Sequence, residues 1–238
     1  MTNTYNPPKR GWYYGWTIVI AAALLTMFTV GMRMSIGPFV IPMSDGLNMS
    51  RSLLSGVIAF GMLVYGLGMP VAGYCVNRYG TRMTLIIGAI LVSASLLLTV
   101  YASNIWVFAL SYGGLLSFGL AFTSPVAFTQ LISSWFIAKR TMALLFLSTG
   151  SMAGIAVMTS IFNMTIQSFS WETTLIGYAV LFFIVTLLVA FLVIRGTPPE
   201  NADLITEAEI AAYQARMAIR KAKMRGGQYT LREVFSTR

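Results

Sequence analysis

Residues 73–85, GYCVNRYGTRMTL, join two apolar runs, 52–76 and 83–101. Each run is long enough to cross a bilayer as a helix, which takes about 20 residues for a hydrocarbon core of about 30 Å. A connection this short forces the two helices into an antiparallel hairpin. It carries two glycines, Gly73 and Gly80, and two arginines, Arg78 and Arg82. Gly80 is expected to hold a turn conformation that a side chain would disfavour. The arginines mark the face of the membrane on which the turn lies, and the rest of the topology follows from that point.

The composition agrees. Of the 238 residues 57% are hydrophobic and only 10% are charged, with a mean hydropathy of +0.75. A soluble domain carries about 25% charged residues, so the chain reads as a polytopic membrane protein. The net charge is +9 with no histidine. The basic residues lie in short loops and a tail beside apolar runs, where the positive-inside rule accounts for them; no nucleic-acid partner is expected. The single cysteine, Cys75, allows no internal disulfide and no cysteine-rich metal site. With no phosphate loop, metal cluster or nucleophile–base pair, neither an enzyme nor an ATP-driven pump is expected, and no cofactor.

Taken in order, the chain opens with a tail, 1–14, in which Lys9 and Arg10 precede an aromatic belt of Trp12, Tyr13, Tyr14 and Trp16. The first apolar run is too long for a signal-peptide core and reads as a retained span. Spans are expected at about 15–42, 52–76, 83–101, 105–132, 141–169 and 174–194. Lys9, Arg10, Arg78, Arg82, Lys139, Arg140 and Arg195 fall on one side, and only Arg51 on the other. Seven against one puts both termini in the cytoplasm. After Pro198 and Pro199, residues 204–223 place apolar residues at helical spacing. Glu207 and Glu209 come early and Arg216, Arg220, Lys221 and Lys223 late, an order that suits a helix dipole. The expected organisation is therefore a cytoplasmic tail 1–14, a transmembrane bundle 15–194 and a cytoplasmic segment 195–238 containing an amphipathic helix.

Gly73, Arg78, Gly80 and Arg82 stand at the positions of the loop 2–3 signature of the major facilitator superfamily, which this stretch resembles; the acidic position of that signature is Asn77 here. The segments YYGWTIVIAAALL (13–25), GMRMSIGPF (31–39) and SSWFIAKRTMAL (133–144) resemble the bacterial branch that includes monocarboxylate porters and oxalate–formate antiporters. The resemblance implies an all-α integral membrane fold, the amino-terminal six-helix half of a transporter built from two three-helix repeats. Residues 195–238 would lead towards a second half absent from this chain. It also implies alternating access around a central site between the halves, with Gly73, Asn77, Arg78, Gly80 and Arg82 as a gating motif and a location in the inner or plasma membrane.

Arg33 is the one ionisable side chain well inside an expected span. An intramembrane arginine is costly unless it faces water, a partner or a ligand. Ala22, Thr26, Thr29, Arg33 and Gly37 fall on one helical face, and the resemblance places the first span against the central cavity. Arg33 thus either binds an anionic substrate, its guanidinium matching a carboxylate, or snorkels to the outer interface. In the fourth span Tyr112, Leu116, Gly119, Thr123, Ala127 and Gln130 share a face. Tyr112, Thr123 and Gln130 either bond a small polar solute or act as polar glue between helices. In the fifth span, Gly150 and Gly154 read as a close helix contact. The expected function is secondary active transport of a small organic anion, a monocarboxylate by the resemblance, with a proton or counter-anion as the coupled species. The alternatives are a non-transporting truncated, regulatory or scaffold six-helix protein, or a half transporter working as a homodimer.

Overall fold

The structure, a computed structural model, describes residues 14–47, 49–102, 104–136, 139–194 and 215. The amino-terminal tail, all of 195–238 but Ala215, and with it the expected amphipathic helix, lie outside the described residues.

All regular structure among the described residues is helical. Helix α1 (Tyr14–Met34) is followed by the short α2 (Gly37–Gly46). Helix α3 (Arg51–Val100) has 50 residues, about 75 Å at 1.5 Å per residue, far more than one crossing needs. It is two crossings. At Gly80 the backbone turns to φ 82°, ψ 161°, a conformation essentially closed to residues with a side chain, as the hairpin reading expects. The fourth crossing, Ile105–Trp135, is assembled from α4 (Ile105–Phe108), a π-helical segment Ala109–Leu116, α5 (Ser117–Phe122) and α6 (Pro125–Trp135). Helix α7 (Arg140–Ser168) is the fifth, and α8 (Trp171–Leu188), continued by a π turn Val189–Val193, is the sixth.

Two expectations need correction. The first span is not one helix over 15–42. It breaks at Ser35 and Ile36, and α2 restarts with Pro38 in its first turn. The break is docked on α7: the Ser35 hydroxyl donates to the Ile155 carbonyl at 3.2 Å, and Thr159 donates to the Ser35 hydroxyl at 2.7 Å. The fourth span likewise breaks at Thr123 and Ser124, where Pro125 cannot continue the hydrogen-bond ladder. Irregular backbone at membrane depth is tolerated only where protein or a cavity covers it, and Thr123 and Ser124 are fully buried.

Helix α1 lies along α7; the first limb of α3 lies along the fourth span, and the second limb packs both on the fourth span, through Gly88, Gly119 and the Ser95–Ser111 bond, and on α8. The α1–α7 pair is held close by Gly150 and Gly154, as expected. A Cβ on Gly150 would meet Ala23 at 2.8 Å, and one on Gly154 would meet the Met27 backbone. The core falls into two apolar clusters. One, around Met32, Phe39, Phe108, Phe162 and Phe182, fills the end near α2; the other, around Ile18, Leu25, Leu85, Phe128 and Phe136, fills the end near Gly80. Between them in sequence, on α1 and the fourth span, stand Thr26, Thr29, Thr123 and Ser124, all buried. At the Gly80 end the aromatic belt knits crossings together. Trp16 meets Phe136 and Phe146 edge-on, and the Tyr14 hydroxyl donates to the Val193 carbonyl at 2.8 Å.

Candidate functional site

Arg33 occupies the last turn of α1, where the carbonyl end of the helix dipole favours a cation. Its guanidinium lies over the ring of Tyr65, with Cζ 3.7 Å from the ring centroid. Tyr65 is fourteen residues into α3 from Arg51 and fifteen from Gly80, about 21 Å from either end of its limb at 1.5 Å per residue. The charge therefore sits near mid-span, on an aromatic face that attracts it. The two acids among the described residues, Asp45 and Glu172, lie in the last turn of α2 and the first turn of α8, away from this point.

The Tyr65 phenol oxygen is within reach of both Arg33 and Ser124. Ser124 sits at the break of the fourth span, fully buried, and its hydroxyl has no hydrogen-bond partner. Beside the Arg33–Tyr65 pair a cleft is lined by Met32 and Arg33 of α1, Val57 and Gly61 of α3, and Tyr112 and Ser117 of the fourth span. Its free volume is about 40 Å³, room for water but far below the ~300–1,000 Å³ of a pocket enclosing a drug-sized ligand. Tyr112 is nearly buried in this wall, its ring stacked on Phe108 at 5.5 Å.

The expected site residues thus separate into three places. Arg33 and Tyr112 meet at the cleft. Thr29 and Thr123 are fully buried and bond each other across the α1–fourth-span contact at 3.3 Å, while each also donates to a carbonyl of its own helix. Gln130 is brought to Gly73 of the hairpin instead: its Nε2 is 3.8 Å from where a Cβ on Gly73 would stand, and its buried Oε1 has no partner. The single stripe expected along the fourth span is therefore divided, because the π segment and the break at Ser124 reset the helical phase. In the motif, Asn77, Arg78, Gly80 and Arg82 are exposed at the tip of the hairpin. Asn77 is inside the helix and caps nothing. Arg82 reaches the sixth span, with Cζ 4.4 Å from the Phe191 ring centroid.

Tyr65 was not among the expected residues, yet a signal for it exists. Gly61, Tyr65, Gly68 and Ala72 recur at helical spacing and are all buried, so a lone tyrosine sits within a small-residue contact face.

Residues 22–236 match the sequence model of the Major Facilitator Superfamily. The chain belongs to this superfamily. It is 30% identical over 151 residues to the uncharacterized MFS-type transporter YcxA of Bacillus subtilis, a match covering 62% of this chain and 37% of that protein. It is 29% identical over 174 residues to monocarboxylate transporter 9 of Pongo abelii (71% and 33%) and 26% identical over 166 residues to monocarboxylate transporter 2 of Rattus norvegicus (70% and 33%). The chain thus spans about a third of the length of these relatives. In three dimensions it resembles the inward open conformation of the xylose transporter XylE from E. coli. That match has a TM-score of 0.66 at 15% identity and covers 91% of this chain and 58% of the other. At that identity the likeness concerns the fold alone. The fold is that of the amino-terminal half of the superfamily, whose members are multi-pass membrane transporters.

Proposed function

We propose that this chain forms the amino-terminal six-helix half of a secondary transporter for small organic anions, of the monocarboxylate class. The observation that carries this reading is Arg33: a guanidinium near mid-membrane, with no carboxylate beside it among the described residues, at the edge of a cleft it shares with Tyr112. A cation at that depth is costly. An entering carboxylate would offset the cost through a charge-assisted, bidentate hydrogen bond. The names of the monocarboxylate transporters among its relatives support the same class. The small volume of the cleft supports a site completed by a second half, with alternating access by rocking of one half against the other. In this reading Tyr112 shapes the wall beside Arg33, and the coupled proton or counter-anion is handled by groups of that second half. Both termini face the cytoplasm, on the strength of the basic-residue asymmetry, and the membrane is the inner or plasma membrane.

The test is carboxylate uptake by the full-length transporter reconstituted in liposomes. Uptake per inserted molecule is expected to fall in the order wild type, Arg33→Lys, Arg33→Gln, since lysine keeps the charge but loses the fork. Wild-type rate and affinity in Arg33→Gln would remove the main support for an anion substrate.

A further inference from the structure

Arg33 needs more than a favourable position to bind a carboxylate in two-pronged fashion. Guanidinium N–H groups project only from its edges, in plane, and its faces form no hydrogen bonds. A long, single-bonded side chain does not hold that plane by itself. The structure supplies a platform. Tyr65, 5% exposed, lies beneath the guanidinium with the cation 3.7 Å from its ring centroid. The ring is itself fixed. It stands on a contact face between Gly61 and Gly68, whose Cβ positions would collide with Ser117 and Ala121 of the fourth span. One face of the guanidinium is thus covered by a rigid aromatic surface while the cleft remains beside it.

We infer that Tyr65 is a positioning residue of the anion site: it holds the Arg33 guanidinium at mid-membrane with its hydrogen-bonding edge turned to the cleft. This rests on the anion reading of Arg33. The ring, more than the hydroxyl, does the positioning, because the attraction is to the π face.

The experiment is a double-substitution cycle in the reconstituted full-length transporter, using the best-transported member of a panel of radiolabelled C2–C4 monocarboxylates. Tyr65→Leu and Tyr65→Phe are each made with Arg33 and with Arg33→Gln. Tyr65→Leu is expected to raise KM about 2- to 30-fold, the range of a cation–π contact from exposed to desolvated, with Vmax per inserted molecule little changed. Tyr65→Phe should stay within about twofold of wild type. In the Arg33→Gln background Tyr65→Leu should add nothing. Should Tyr65→Leu fail to insert, Tyr65→Met, which fills similar volume without a π face, takes its place in the cycle. A KM unmoved by loss of the ring, or an effect of equal size with Arg33→Gln, overturns the positioning role and leaves the anion reading intact. Wild-type uptake by Arg33→Gln, or no uptake of any panel member, overturns the anion reading and this inference with it.

Discussion

Gly80 is the point at which one 50-residue helix becomes two crossings, and the consequence of filling it can be worked out. Its backbone stands at φ 82°, ψ 161°, and a Cβ there would meet nothing within 4 Å. No neighbour has to move, so the whole cost of Gly80→Ala is conformational. For a region essentially restricted to glycine this is about 1–3 kcal/mol. At ~2–4 °C per kcal/mol for a unit of this size, the apparent Tm should fall by about 2–12 °C. The assay is loss of the monodisperse peak of the purified full-length transporter after heating in detergent. Gly56 and Gly66 provide the control. They lie inside α3, and a Cβ at either also meets nothing within 4 Å. Alanine there should be neutral or stabilising by about 0.5–1 kcal/mol, the helical penalty of glycine. Gly80→Asn should not rescue, because asparagine tolerates the left-handed helical region but not ψ near 161°. A wild-type Tm for Gly80→Ala would refute the reasoning. Full rescue by asparagine would refute the particular turn geometry.

Three further outcomes are expected. Gly154→Val places two methyls against the Met27 backbone of α1 and should cost at least the ~1–3 kcal/mol of overpacking, read as lost Tm and lower yield; a wild-type yield and Tm would mean that α1 and α7 are not held this closely. Arg82→Ala removes the contact with Phe191 that ties the hairpin tip to the sixth span, and transport rate should drop while substrate binding is nearly unchanged; a large loss of binding with a normal saturated rate would count against a gating role. With Cys75→Ala as background, Asp45→Cys should react with an impermeant thiol reagent on intact cells and Lys139→Cys only after permeabilisation, and the opposite pattern at both sites would reverse the proposed orientation.

The crossings and the hairpin could be read in the sequence because their cause is local. Twenty apolar residues must span, and a glycine between two arginines must turn. A close helix contact at Gly150 and Gly154 was legible for the same reason, but that the partner is α1 was not, because small residues four apart do not say which helix they meet. The breaks at Ser35 and Ser124 were not. Pro38 and Pro125 are visible as letters, but whether a proline kinks, starts or ends a helix depends on the neighbour against which the irregular segment packs, here Thr159 and Ile155 on α7, which bond the Ser35 hydroxyl at the first break. Once the fourth span breaks, a face computed on a continuous helix no longer exists, which is why Tyr112 and Gln130 part company. Thr29 and Thr123 carried the right polarity, but helical phase cannot say that Thr29 would donate to Thr123 and Thr123 to the Leu120 carbonyl. Tyr65 was hidden because a phenol in an apolar run announces no charge; only its partner, two helices away in the fold, gives it a role.

The two three-helix repeats bear on why Arg33 is there at all. Span one packs on span five, span two on span four and span three on span six, a set of pairs that exchanging the repeats maps onto itself, while span three also packs on span four through Gly88, Gly119 and the Ser95–Ser111 bond. The correspondence extends to detail. The leading span of each repeat breaks, at Ser35 and at Ser124, and resumes as a short helix with proline in its first turn, ten residues in α2 and eleven in α6. Each leading span also packs on its partner through glycines, Gly31 and Gly154 in one case, Gly61 and Gly113 in the other. Yet between Ile105 and Trp135 the second repeat has no charged residue. It achieves the same break, the same close contact and the same short helix without one. Packing of the repeats therefore gives no reason for a guanidinium at position 33; within the bundle the Tyr65 ring meets one of its faces, and under the proposed function its free edge is what an anion entering the cleft would use.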